Sequence, residues 1–162
     1  MVLTIRPAQA SDLPEAAALI NEIIVKGGST AIEVALTPDD VAEWFLTPGP
    51  RVHCGHVALC DGAVAGFQSV GRVARLPQGW GEMGTYTKLG SSQKGIGTAL
   101  FNATKQAAKG LGLTYLNALI RSDNAGGLTY YTRMGFGDDR PAPDARLKSG
   151  AVIARVDKRF AL

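Results

Sequence analysis

Residues 91–101 read SSQKGIGTALF: small polar residues, a lysine and a Gly-x-Gly step lead into the front of a helix. A helix start leaves its first N–H groups without intrahelical partners and carries roughly half a positive charge, so an anion is favoured there. Glycine lets a ligand approach the main chain closely because no Cβ intervenes. Ser92, Gln93, Lys94, Gly95, Ile96, Gly97 and Thr98 can therefore present successive amides to a pyrophosphate, with Lys94 adding a full charge. The same spacing suits a strand-to-helix turn that uses glycine only for its geometry, and short glycine motifs recur by chance. The surrounding segments have to separate the two readings.

Working outward, GEMGTYTKL (81–89) is a strand running into the motif, and GTALFNATKQAAKGLG (97–112) is the helix that follows, with Gly110 and Gly112 suited to a left-handed cap. Next come LTYLNALI (113–120) as a strand, NAGGLTYYTRM (124–134) as a helix, GFGDD (135–139) as the start of a strand and AVIARVDKRF (151–160) as the last strand. Between those two lies RPAPDARLKSG (140–150), which reads as a polar, proline-bearing loop. Upstream, HVALC, DGA and VAGFQSVGRV (56–73) carry the Asp-Gly signal of a hairpin. At the N-terminus, LTIRP (3–7) has strand composition and SDLPEAAALINEIIV (11–25) is an amphipathic helix that Ser11 or Asp12 can cap. A glycine-paired connection, KGGSTAIEVAL (26–36), leads to a short helix, PDDVAEWFL (38–46), with Thr37 as its cap.

The order β-α-α-β-β-β-α-β-α-β-β predicts a mixed α/β fold around one sheet, not a doubly wound parallel sheet. The third glycine and the ribose-binding acid of a dinucleotide fingerprint are missing, and so is Gly-x-x-x-x-Gly-Lys-Ser/Thr.

The 162 residues suit a single domain, 1–162, and with 46% hydrophobic and 19% charged residues the chain has the composition of a soluble globular protein. No apolar run approaches the roughly 20 residues of a membrane helix, and the first residues lack a secretory signal, so a cytoplasmic chain is expected. The net charge of +3 is scattered, which argues against a nucleic-acid surface. Cys54 and Cys60 would share one face of an extended segment too far apart to bridge, and no metal site is expected. His53 and His56 would point to opposite faces, so a paired role is not expected.

SSQKGIGTALF, followed by NAGGLTYYTRMGF (124–136), resembles the acetyl-coenzyme A signature of the GNAT superfamily of N-acetyltransferases. That family's pattern is Arg or Gln, two residues, Gly, one residue, Gly or Ala; here Gly95 and Gly97 supply the glycines and Ser92 stands at the Arg/Gln position. Asn124, Tyr131, Gly135 and Phe136 fall at the family's Asn, Tyr, Gly and Phe positions. The opening IRPAQASDLPEAAALINEII (5–24) is similar to the phosphinothricin and methionine sulfone acetyltransferases, and Glu82 aligns, counting from Gly95, with the acid those enzymes use as base.

The resemblance implies a mostly antiparallel sheet of about six to seven strands, splayed in the middle by a bulge and flanked by about four helices. It implies acetyl-CoA as co-substrate, held by residues 92–98 and Asn124, with a main-chain N–H near Thr87 or Lys88 facing the carbonyl oxygen. Tyr131 would protonate the departing thiolate; Tyr130 beside it can equally be the buried ring. Asn124 can also cap its helix. The acceptor site would be bordered by residues 26–33, by the strand from Phe67 to Arg72 and by the 140–150 loop, with Ser29, Thr30, Gln68 and Arg72 as polar candidates and Arg75 as the alternative to Arg72. A small-molecule primary amine, first an amino acid or its analogue, is the expected acceptor. A protein, polyamine or aminoglycoside amine and a non-catalytic coenzyme A sensor are the alternatives. A homodimer is a family-level expectation.

Overall fold

A computed structural model describes residues 2–91 and 95–162. Its elements are β1 (Leu3–Pro7), α1 (Leu13–Lys26), α2 (Pro38–Val41), β2 (Val52–Cys60), β3 (Ala63–Gly71), β4 (Trp80–Thr87), α3 (Ile96–Gly110), β5 (Tyr115–Arg121), α4 (Ala125–Arg133), β6 (Gly137–Arg146) and β7 (Val152–Ala161). The seven strands form one sheet in the order β1-β2-β3-β4-β5-β7-β6. Among the described residues only the β4–β5 pair is parallel; every other neighbour is antiparallel. The mixed, mostly antiparallel sheet with four helices is the expected fold class. Among the described residues no helix is long and apolar enough to cross a membrane.

Amphipathic periodicity places the helices. Ala16, Leu19, Ile20 and Ile23 of α1 pack with Val41, Leu46, Val57 and Phe67, while Phe101 and Ala108 of α3 and Tyr131 of α4 pack with Val70, Leu116 and Ile120. Thr37 caps α2 as its sequence implies: its hydroxyl accepts from Asp40 N at 3.1 Å and the Asp40 carboxylate accepts from Thr37 N at 2.9 Å. Asp12 stands at the N-cap of α1 but spends its buried carboxylate on Arg6, at 2.7 and 2.9 Å, and on Gln9 N.

Two expectations change. Residues 140–146, read as loop, belong to β6. Pro141 and Pro143 are tolerated because β6 is the sheet's edge, where a missing N–H removes no ladder bond on the open side. The expected bulge is also absent. The β3–β4 register runs unbroken from Gly66↔Thr87 to Gly71↔Glu82. The sheet opens because β4–β5 pairing stops at Met83↔Ala118, while β4 stays with β3 as far as Thr87 and β5 stays with β7 as far as Arg121. Each strand keeps its antiparallel partner, and the one parallel pair parts.

The sheet is tight where α2 leads back to it. A Cβ on Gly55 of β2 would lie 2.6 Å from Leu46 Cα and 2.7 Å from Leu46 O, both backbone atoms. Gly55→Ala is expected to cost roughly 1–3 kcal/mol by overpacking, read as a lower urea midpoint at unchanged slope. A wild-type midpoint would refute this close approach.

Candidate active site

The opening between β4 and β5 is a cleft of ≈ 770 Å³ reached by Thr85, Thr87, Gly95, Gly97, Asn124 and Tyr131. Lys88 N donates to Ala65 O at 2.9 Å, which fixes the phase of the β3–β4 ladder. Main-chain groups alternate sides along a strand, so the N–H groups of Thr85 and Thr87 point away from β3, into the opening. The Lys88 N–H is spent inside the sheet and Lys88 does not line the cleft, so that candidate falls while Thr87 stays.

Across the cleft, α3 starts at Gly95, whose φ of 94° is left-handed and suits glycine. Among the described residues no side chain caps this helix, so none of them occupies the N–H groups of Gly95, Ile96, Gly97 and Thr98. Gly97 has a different reason: a Cβ there would lie 2.6 Å from the Tyr130 ring, whose hydroxyl donates to Gly97 O at 2.7 Å. Ser92, Gln93 and Lys94 lie outside the described residues. An uncapped 15-residue helix aimed at a cleft edged by unpaired strand amides fits a long phosphorylated ligand, with anion at the helix and extended arm along β4.

Asn124 caps α4, accepting from Gly127 N at 3.0 Å, while its Nδ2 donates to Ser29 O at 3.4 Å. It also lines the cleft. Tyr131 is buried, its ring edge-on to Tyr130 and Phe136, and its hydroxyl lies 2.8 Å from Thr85 Oγ1. Burial pushes the Tyr131 phenol far above its ordinary value, with the Thr85 hydrogen bond opposing, so it holds its proton.

A second cavity of ≈ 510 Å³ lies beyond β4, and Ser29, Met83, Gly84, Tyr86 and Leu119 line both. Glu82 is the acid of this second cavity, which Arg51, Arg72, Arg121 and Arg155 also line. Glu82 Oε1 accepts from Arg75 at 3.2 Å, but Arg75 is held in a two-pronged grip by Asp157 at 2.8 and 2.9 Å, and Asp157 also accepts from Asn117. Burial raises the Glu82 pKa; the Arg75 charge, shared with Asp157, only partly offsets that.

The structure thus separates Arg72 from Arg75. Arg72 lines the second cavity, its Nε donating to Gly49 O at 3.0 Å, and Arg75 serves the two carboxylates from outside it. Thr30 is at the cavity beside Tyr86, whose phenol is pushed up to about 12 by its burial. Gln68 lines neither cavity. It is fully buried, because β3 alternation sets it on the α3 face opposite Phe67. The 140–150 segment does not line the second cavity either; β7 brings Arg155 there instead.

Sequence reasoning missed Arg121, Arg155 and Thr85. Arg121 ends a buried strand, and its guanidinium, paired with Asp123, donates to Thr30 O at 3.0 Å, tying the 28–32 loop over the site. An arginine closing an apolar strand was the available signal.

A cleft for a phosphorylated ligand, meeting at its vertex a second cavity with a half-buried carboxylate, is the layout of a group-transfer enzyme. The acetyltransferase (GNAT) family pattern matches residues 24–136, and the chain belongs to this family of acetyltransferases. Among curated proteins none matches. Among solved structures, a provisionally named phosphinothricin N-acetyltransferase is 27% identical over 99% of both chains, with a TM-score of 0.80. The provisionally named acetyltransferase yncA from Salmonella typhimurium, solved with its cofactor acetyl-CoA, is 19% identical over 100% of this chain and 95% of its own, with a TM-score of 0.84. A phosphinothricin acetyltransferase from Sinorhizobium meliloti, in complex with acetyl-CoA, is 21% identical over 100% of this chain and 89% of its own, with a TM-score of 0.78.

Proposed function

We propose that the protein is an acetyl-CoA-dependent N-acetyltransferase acting on the primary amine of a small anionic molecule, an amino acid or its analogue, within a ternary complex in the cytoplasm. The observation that carries the acceptor class is charge: four arginines and one acid, Glu82, line the second cavity among the described residues. A polycation would meet repulsion there, whereas a carboxylate would find guanidinium donors.

Bound acetyl-CoA supplies an acetyl group on a thioester, whose carbon an amine can attack and whose sulfur can depart. Gly95, Ile96, Gly97 and Thr98 offer amides to its phosphates, joined by Ser92, Gln93 and Lys94 of the same motif, and Asn124 borders the cleft. The Thr85 and Thr87 N–H groups orient the arm and polarise the carbonyl. Glu82 removes the proton of the acceptor ammonium, directly or through water, since only the free amine is nucleophilic. Arg72 holds the acceptor's anionic end, Ser29 and Thr30 border it, and Tyr131 keeps a proton at the vertex for the departing sulfur.

An acetyl-CoA consumption assay across amino acids, sulfone and sulfoximine analogues, polyamines and peptides tests this. Turnover confined to anionic amines is expected; turnover of polyamines alone would reject the acceptor class, and coenzyme A binding without any turnover would point to a sensor. For the accepted substrate, Arg72→Gln is expected to raise KM roughly 10- to 100-fold with a smaller effect on kcat, because a charge-assisted contact is lost before and during the reaction alike. An unchanged KM would remove Arg72 from the site.

A further inference from the structure

Gln68, expected at the acceptor, sits in a row of polar side chains that crosses the sheet face under α3 and α4. His56, Gln68 and Thr85 are registered partners on β2, β3 and β4, and Thr85 touches Tyr131. Registered neighbours share a face, so the row is built by strand pairing.

The hydrogens of the row can be assigned. The Tyr130 hydroxyl gives its only proton to Gly97 O, a carbonyl, at 2.7 Å. It can therefore only accept from Gln68, which fixes the amide with Nε2 towards it at 3.1 Å. The second Nε2 hydrogen goes to Thr85 Oγ1 at 2.9 Å. Gln68 Oε1 is buried without a partner, so the amide acts here as a double donor. Thr85 Oγ1 accepts from Gln68 and keeps its own hydrogen, and Tyr131 OH is 2.8 Å away.

We infer that Gln68 and Thr85 are positioning residues for Tyr131: Thr85 donates to the Tyr131 oxygen, which frees the Tyr131 hydrogen to face the cleft and steadies the oxygen as that hydrogen leaves. This deepens the reading of Tyr131 as the acid and rests on it. Net transfer removes two protons from the acceptor ammonium. One leaves through Glu82, and the other, carried by solvent, replaces the proton that Tyr131 gives to the sulfur. The titratable groups whose charge reaches Tyr131 are Tyr130 on its own helix and, from the other face of β4, Tyr86 and Glu82. Thr85 does not titrate, so its removal acts through the hydrogen bond alone.

Thr85→Val keeps the shape and removes the hydroxyl. In single-turnover measurements it is expected to slow acetyl transfer about tenfold, Thr85→Ser to retain most of the rate, and Thr85→Val to add nothing to Tyr131→Phe. A readout without turnover is the thiol of bound coenzyme A, titrated by thiolate absorbance. A donor from Tyr131 favours thiolate, so Thr85→Val, Gln68→Met and Tyr131→Phe each move that titration to higher pH, and the Thr85→Val/Tyr131→Phe double variant moves it no further than Tyr131→Phe. Wild-type rate and titration in Thr85→Val, alongside altered values in Tyr131→Phe, would overturn the positioning role. Unaltered values in Tyr131→Phe would overturn the acid itself, and the positioning role with it.

Discussion

Glu82→Gln is expected to lower kcat/KM by about two to three orders of magnitude near neutral pH, within the range that a positioned base contributes. The change is isosteric, and Arg75 keeps its two-pronged hold on Asp157, so the local fold survives. The pH dependence carries the sharper test. A base works deprotonated, and burial raises the pKa of Glu82, so the wild-type rate falls as pH drops through a value above the ordinary carboxylate range. In the glutamine variant that limb disappears. The residual rate then climbs with pH as the acceptor's own ammonium gives up its proton to solvent, so the deficit is greatest at low pH and shrinks at high pH. A deficit constant across pH would remove Glu82 as the base and leave it an acceptor contact.

Tyr131→Phe is expected to slow single-turnover acetyl transfer roughly 10- to 100-fold, while the dissociation constant for acetyl-CoA changes less than about twofold, because one hydroxyl is lost and the packed ring remains. The Phe136 and Tyr130 contacts of the ring do not need the hydroxyl. Burial holds the phenol protonated well into alkaline solution, so the wild-type rate should show no fall from Tyr131 ionisation across the physiological range. A single-turnover rate equal to wild type would transfer the acid role elsewhere, and Tyr130 would not inherit it, since its proton is committed to Gly97 O.

Both candidates can be named before the fold is known, because the family resemblance places each at a fixed distance from a motif: Glu82 thirteen positions before Gly95, Tyr131 seven after Asn124. Local signals also carried α2 with its Thr37 cap and the Asp-Gly hairpin between β2 and β3. The misplacements share a cause. The sequence offers Gln68 as a polar candidate at the acceptor, yet strand alternation buries it beneath α3, where polar partners from two other elements receive it. Residues 140–146 read as loop because prolines break strands, and only the edge position of β6 makes them harmless. Lys88 looked as available as Thr87, and the phase of one ladder bond excluded it.

The sequence by itself determined the class of most elements, residues 140–146 excepted, together with the helix start that can receive an anion and the resemblance to the family. Spacing along a chain is a local property, and propensity, capping and glycine geometry act over a few residues. Tertiary structure alone decided where the sheet opens, that Arg72 rather than Arg75 lines the second cavity, and that Thr85 meets Tyr131. Those are contacts between segments dozens of residues apart, and they depend on which strand pairs with which and in what register.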